Sequence, residues 1–271
     1  MKEASLDGEA QISIIGYQQL VLRLRLDMNK LSIHRALCNL IESPNDTIIE
    51  TEKRSALLLK TGNEEHQQIA LKLWSCLEED DHDCNSLACK QCTRTKRMKV
   101  IESVLPKVVG NNYRFVTVIL YRDVLAKSEL HTLKPQKLKE QLYRDLKCVG
   151  ITSPVYGTLE VDFHEGEQVW LPHFHLLVEA DKDRMRSLVT KLKCQHGIEV
   201  WNGKTPRPVK VDPVKDAIRQ VSYIYKFMWQ TVLVNGRKVR GELEVYCTAL
   251  AYLDSLLIET LQVQYGVRRG K

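Results

Sequence analysis

The chain has 271 residues, 44% hydrophobic and 27% charged, with 13 Gly and 8 Pro. This composition supports a sizeable core and excludes a collagen-like or wholly disordered chain; no run of 18 apolar residues offers a transmembrane helix. The net charge of +6 is uneven, with 9 Lys and Arg against 15 Asp and Glu over residues 1–83, and 31 against 19 over residues 84–271.

The start, Met1–Gln11, is acidic and polar and does not read as a secretory signal. A cytoplasmic, soluble protein without a membrane partner is expected. The basic field of the second part suits a polyanion such as nucleic acid, or is simply a solvated surface.

Residues 12–83 read as mostly helical, with apolar residues at helical spacing over Leu20–Leu40 and Ile69–Leu77. Ser43-Pro44-Asn45-Asp46 signals a turn, and the acidic stretch Leu77–Asp83 a linker. These residues form an accessory region, 1–83, ahead of a larger domain, 84–271. Eight cysteines occur, at 38, 76, 84, 89, 92, 148, 194 and 247. Without a secretion signal a disulfide framework is not expected. Cys84, Cys89 and Cys92 are crowded, and Cys-x2-Cys at a tight turn is a good zinc knuckle. The fourth ligand is left open between Cys76, His82 and His66, and unligated thiols are the alternative to a structural Zn2+. Arg94, Lys96 and Arg97, just after the knuckle, are candidate DNA contacts.

From about residue 100 the pattern changes. Tyr113–Leu120 is rich in β-branched and aromatic residues and reads as a buried strand. A helix is predicted over Lys134–Leu146. Tyr156–Phe163, the turn His164–Glu167 and Val169–Glu179 read as a hairpin, followed by a helix over Asp183–Cys194. Another helix is predicted over Pro213–Val232, with Asp212 as N-cap and Pro213 at the first position, and a last one over Glu242–Val263. The fold expected is α+β, an antiparallel sheet with flanking helices.

Alternation within the second hairpin strand puts His173 and His175 on one face. Two imidazoles so placed can share a divalent metal or be merely structural. A turn centred near Gly166 sets Glu160 opposite residue 172 or 173, which completes an open His-His-carboxylate site; Asp162 shares that strand face. On the helix predicted after Pro213, Val214, Ala217, Ile218, Val221, Ile224, Tyr225 and Met228 form one apolar stripe. Tyr223 points the opposite way, near Asp216 and Arg219, with Lys226 on a neighbouring surface. A tyrosine beside cations is placed to meet a phosphate, or is an ordinary surface tyrosine.

In order, the strand Phe115–Ile119, Glu160 with Pro172-His-Phe-His-Leu-Leu-Val178, and Tyr223-Ile-Tyr-Lys226 resemble the three motifs of HUH endonucleases, in particular rolling-circle plasmid replication initiators. The resemblance covers roughly residues 84–230, and the cysteines ahead of the first motif also occur in some of these initiators. It implies a palm-like nuclease core that nicks and rejoins single-stranded or supercoiled origin DNA and leaves a 3′-OH primer for a host helicase and polymerase. Tyr223 would be the nucleophile and Lys226 its phosphate-binding partner. His173, His175 and Glu160 would hold Mg2+ or Mn2+, and Arg219 would assist. Many initiators carry Glu four residues before the tyrosine, where this chain has Arg219, so termination would use another group such as Asp216 or Tyr225. Alternatives are an HUH transposase or mobilisation relaxase, or a non-catalytic zinc-dependent DNA-binding regulator. No G-x-x-x-x-G-K-[ST] motif is present, so no fused helicase is expected.

Overall fold

The computed structural model describes residues 37, 40–78, 83–201, 203 and 205–267. The predicted helical pattern over Leu20–Leu40 therefore lies almost wholly outside the described residues, as do Cys38, His82 and the basic tail Arg268–Lys271.

The described chain opens with two helices, α1 (Pro44–Lys60) and α2 (Glu64–Glu78). Ser43-Pro-Asn-Asp46 starts α1. The Ser43 hydroxyl accepts from the Asp46 N–H, and the Asp46 carboxylate accepts from the Ser43 N–H, which closes a capping box. The long helix α3 (Lys90–Val108) follows. Cys89 is its N-cap and Cys92 lies in its first turn, so the Cys-x2-Cys pair sits on a helix start and not on the tight turn expected.

The remainder is α+β, with a mixed sheet of eight strands. Its antiparallel centre has the order β5-β1-β4-β3-β8, built from β1 (Tyr113–Ile119), β3 (Val155–His164), β4 (Val169–Glu179), β5 (Val209–Pro213) and β8 (Gln262–Tyr265). The short β2 (Leu125–Ala126) extends β4, and β6 (Thr231–Val232) pairs parallel with β3 and antiparallel with β7 (Lys238–Val239). The parallel β3–β6 pair makes the sheet mixed where a purely antiparallel one was expected. Two helices, α4 (Pro135–Cys148) and α5 (Lys182–His196), lie close to their predicted ranges; their Leu142, Leu146, Leu188 and Leu192 join Val116, Leu159, Val161, Phe174 and Leu176 of the sheet in the main core.

Two predicted helices are corrected. Val209–Pro213 pairs with β1, Arg114 against Pro213, so Asp212 and Pro213 end an edge strand; an edge tolerates a residue without an N–H. The helix α6 (Ala217–Ile224) starts later, capped by the Asp216 carboxylate accepting from the Arg219 N–H at 3.0 Å. It stops after two turns, and Phe227 takes a left-handed φ of +44°. The predicted helix Glu242–Val263 divides into α7 (Leu243–Asp254), α8 (Ile258–Leu261) and β8.

A second core joins Leu58, Ile69 and Leu73 of α1 and α2 to the four cysteines Cys76, Cys84, Cys89 and Cys92 and to Tyr246, Cys247 and Leu250 of α7. Residues on both sides of position 83 thus share one apolar cluster.

The β3–β4 register pairs Glu160 with His173, Thr158 with His175 and Gly157 with Leu176. Gly157 permits this close pairing. A Cβ there would run into the His175 carbonyl oxygen and lie 3.1 Å from the Leu176 Cα. Gly157→Ala is therefore expected to cost about 2 kcal/mol or more, at the upper end of core overpacking. Denaturant unfolding checks this; an unchanged midpoint would contradict it.

Candidate functional site

One face of the sheet carries the polar residues. Across it run Lys210 of β5, Thr117 of β1, His175 of β4 and Thr158 of β3, with Ile119, His173 and Glu160 in the next row. Strand alternation turns the apolar residues between them to the opposite face.

Glu160 is completely buried. Its Oε2 lies 3.6 Å from His173 Nε2 and 3.8 Å from His175 Nε2. The Lys226 ammonium stands 2.8 Å from the same oxygen. That contact is ionic, without hydrogen-bond alignment: both Glu160 oxygens and His175 Nε2 are buried without a hydrogen-bond partner. Buried polar atoms are normally satisfied, so an unsatisfied carboxylate facing an unsatisfied imidazole nitrogen marks a place for a cation. One atom each from Glu160, His173 and His175 lies within 4.8 Å of the others. Two imidazole nitrogens and a carboxylate suit a divalent metal.

The far sides of both rings are anchored. His173 Nδ1 donates to the Leu171 carbonyl at 3.3 Å, and its Nε2 faces Glu160. His175 Nδ1 shares a 3.2 Å hydrogen bond with Thr117 Oγ1. Such bonds fix ring orientation in metal sites. Burial lowers the His175 pKa to about 3, so its ring is neutral. Burial, the largest influence, would raise Glu160, but the Lys226 charge together with His173 and His175 outweighs it and holds the carboxyl below its ordinary value. Burial likewise opposes the charge on Lys226, and Glu160 restores it, so its pKa is raised. A neutral imidazole on His175 and an ionised carboxylate on Glu160 are the forms that bind a metal.

Asp162 Oδ2 lies 3.9 Å from His173 Nε2, and the carboxylate accepts from Lys238 Nζ at 2.5 Å and the Gln230 N–H at 3.0 Å. Lys238 stands on β7. Its role needed the β6–β7 hairpin, which no sequence pattern announced.

Tyr223 is 43% exposed, its ring 5.2 Å from the His175 ring and 6.2 Å from Phe115. The Lys226 ammonium lies 4.5 Å from its ring centre. Lys226 follows the end of α6 and is turned toward Glu160, not carried on the helix as predicted. Tyr225 is 0% exposed, with a hydroxyl that makes no hydrogen bond, and burial raises its pKa. A cleft of about 840 Å³ opens at Tyr223; Lys90, Arg97, Lys210, Arg219, Lys226 and Lys238 are among its lining residues. Asp216 caps α6 and Tyr225 lies in the core, so both groups considered for termination are occupied in the fold.

The three cysteines expected together are together, and Cys76 of α2 is the fourth. Cys92 Sγ is 3.6 Å from both Cys76 and Cys84 Sγ, and all four sulfurs lie within 4.8 Å. His66 instead lines a separate cavity beside α7. The Cys89 thiol is driven down to about 2 by the Cys84 and Cys92 thiols and then by N–H groups at the start of α3. A buried group of four thiols, one poised as thiolate, can hold a metal ion.

The cations after Cys92 are less available than expected. Arg97 is 5% exposed and bonded to Glu42 and the Ser222 carbonyl, which corrects its assignment as a surface DNA contact. Arg94 donates from Nε to the Glu42 carbonyl, and Lys96 to the Asn85 carbonyl. Arg219 is exposed at the cleft.

No protein-family model, curated protein or solved structure matches the chain. Among the described residues no helix is long and apolar enough to cross a membrane.

Purified protein is expected to carry about one tightly held metal ion at the four cysteines, and Cys76→Ser to lose most of it. Elemental analysis of protein prepared under reducing conditions checks this; equal metal content in the variant would remove Cys76 from the ligand set.

Proposed function

We propose that the chain is a cytoplasmic HUH-type endonuclease that nicks and rejoins single-stranded DNA through a 5′-phosphotyrosyl intermediate, acting as a rolling-circle replication initiator. The observation that carries this reading is an exposed tyrosine set against His175 and Lys226, at the mouth of a cationic cleft, beside buried Glu160, His173 and His175.

The Tyr223 hydroxyl gives up its proton and its oxygen forms a bond to the scissile phosphorus as the bond to the 3′ oxygen, which takes up a proton, breaks. The 3′ oxygen leaves as a hydroxyl, which primes a host polymerase working with a host helicase on origin DNA. Because the phosphotyrosyl bond retains the energy of the phosphodiester, attack by a 3′-OH rejoins the strand without ATP. Mg2+ or Mn2+ on Glu160, His173 and His175 would supply Lewis-acid polarisation of the phosphate. Lys226, held charged by Glu160, sits between that carboxylate and the Tyr223 ring and presents positive charge where the phosphate must come. Lys238, Lys210 and Arg219 give the cleft its attraction for the strand. Zn2+ is the metal assigned to the four cysteines, with a structural role.

The test is incubation with an end-labelled random-sequence single-stranded DNA pool and Mn2+, followed by a denaturing gel. The wild-type protein is expected to form a covalent adduct, Tyr225→Phe to retain it and Tyr223→Phe to form none while folding normally. His173→Ala or His175→Ala is expected to abolish the adduct with DNA binding kept within about threefold, since basic surface supplies most non-specific affinity. DNA binding without any adduct would favour the non-catalytic regulator, and an adduct mapped to Tyr225 would overturn the assignment of the nucleophile.

A further inference from the structure

We propose that Arg97 is the positioning residue for Tyr223, and that the four-cysteine centre in turn fixes Arg97. The proposal rests on the reading of Tyr223 as the reacting group, but its structural half can be tested without it.

Arg97 Nη2 donates to the Ser222 carbonyl at 2.7 Å, and Nη1 to Glu42 Oε2 at 2.7 Å. The Ser222 carbonyl belongs to the peptide plane whose nitrogen is Tyr223, so the guanidinium holds the rigid unit from which the Tyr223 side chain emerges. Helix α6 has only eight residues and ends at Ile224, which leaves its last carbonyls without intrahelical partners. A helix this short is marginal without tertiary support. Arg97 gives the Ser222 carbonyl a charged donor at the negative end of the helix. Its flat fork holds a carboxylate and a carbonyl in one fixed geometry, which the rotatable ammonium of a lysine does not impose.

The other end of the linkage is the cysteine group. Arg97 lies on α3, whose N-cap is Cys89 and whose first turn contains Cys92. From Cys92 to Arg97 the helix rises only about 7.5 Å. Three side chains of this segment grip residue 42: Arg97 and Lys90 hold its carboxylate and Arg94 its carbonyl. The loop before α3 is tied to α1 through Arg54 Nη1 and the Ala88 carbonyl at 2.8 Å. Four buried thiols drawn onto one ion fix where α3 begins, and a stiff helix carries that position to Arg97. A metal-binding region that local sequence separates from the nucleophile by about 130 residues thus ends one hydrogen bond away from it.

The test compares wild type, Arg97→Lys, Cys76→Ser and the double variant, with Mn2+ supplied throughout. It measures amide hydrogen exchange and single-turnover adduct formation on the random single-stranded pool. Arg97→Lys is expected to lower the adduct-forming rate by about tenfold or more, as misplacement of a reacting group does, with DNA affinity within about twofold. It should raise exchange over residues 217–226 by about tenfold, a local opening, while residues 155–179 stay protected. Cys76→Ser should reproduce the rise over 217–226, and the double variant should add little, the signature of one shared path. Unchanged exchange over 217–226 in Cys76→Ser, additive effects, or loss of protection throughout 155–179 would each overturn the proposal. If wild type forms no adduct, the nuclease reading fails and the exchange pattern alone decides the linkage.

Discussion

A carboxylate with no exposure to solvent, Glu160, is held charged in the middle of a sheet. Ionic groups are costly to bury, and this one has a lysine at 2.8 Å but no hydrogen bond. The rest of the site follows from that arrangement. The β3–β4 register must set His173 opposite Glu160, and Gly157 must let the strands close behind His175. The chain must leave α6 early and turn at Phe227 to bring Lys226 inward, which keeps Tyr223 on the last turn and facing the cleft. Apolar residues of the same size would pack there more cheaply, so the group is not explained by stability. Rules broken in an otherwise consistent core mark a functional site.

The second organising group, the four cysteines, has a different character. It lies in its own small core with α1, α2 and α7. Its connection to the cleft is mechanical. Helix α3 starts in the cysteine group and packs against α6, and the Glu42–Arg97–Ser222 chain of hydrogen bonds closes the gap. On the proposed reading, one centre offers ligands beside Tyr223 and the other fixes the frame on which Tyr223 stands.

The hairpin was legible because period-two alternation and a Gly-centred turn narrow the register; that set Glu160 opposite residue 172 or 173, and the structure pairs it with His173. Tyr223 and Tyr225 were told apart by the helical wheel, since residues two apart on a helix point about 160° apart and cannot both face the core. The start of α6 was not legible. Asp212-Pro213 imitates a cap and a first helical residue, and only pairing with β1 shows it to be an edge strand. The end of the last predicted helix failed similarly, although Leu261, Val263 and Tyr265 alternate as a strand does. Arg97 looked like one more surface cation in a basic run, because its partner Glu42 lies 55 residues away. Cys76 was one of three choices for a fourth thiol-site ligand, and tertiary packing alone selects it.

The central claim is that Glu160, His173 and His175 form a divalent-metal site at the nucleophile. Its most direct measurement is crystallographic, with Mn2+ soaked into the protein and located by anomalous scattering. A single strong peak is predicted among the two Nε2 atoms and the Glu160 carboxylate, at about 2.0–2.3 Å from each, and its loss in His175→Ala. A crystal in millimolar Mn2+ that shows no peak there, with Lys226 still paired to Glu160, would contradict the account.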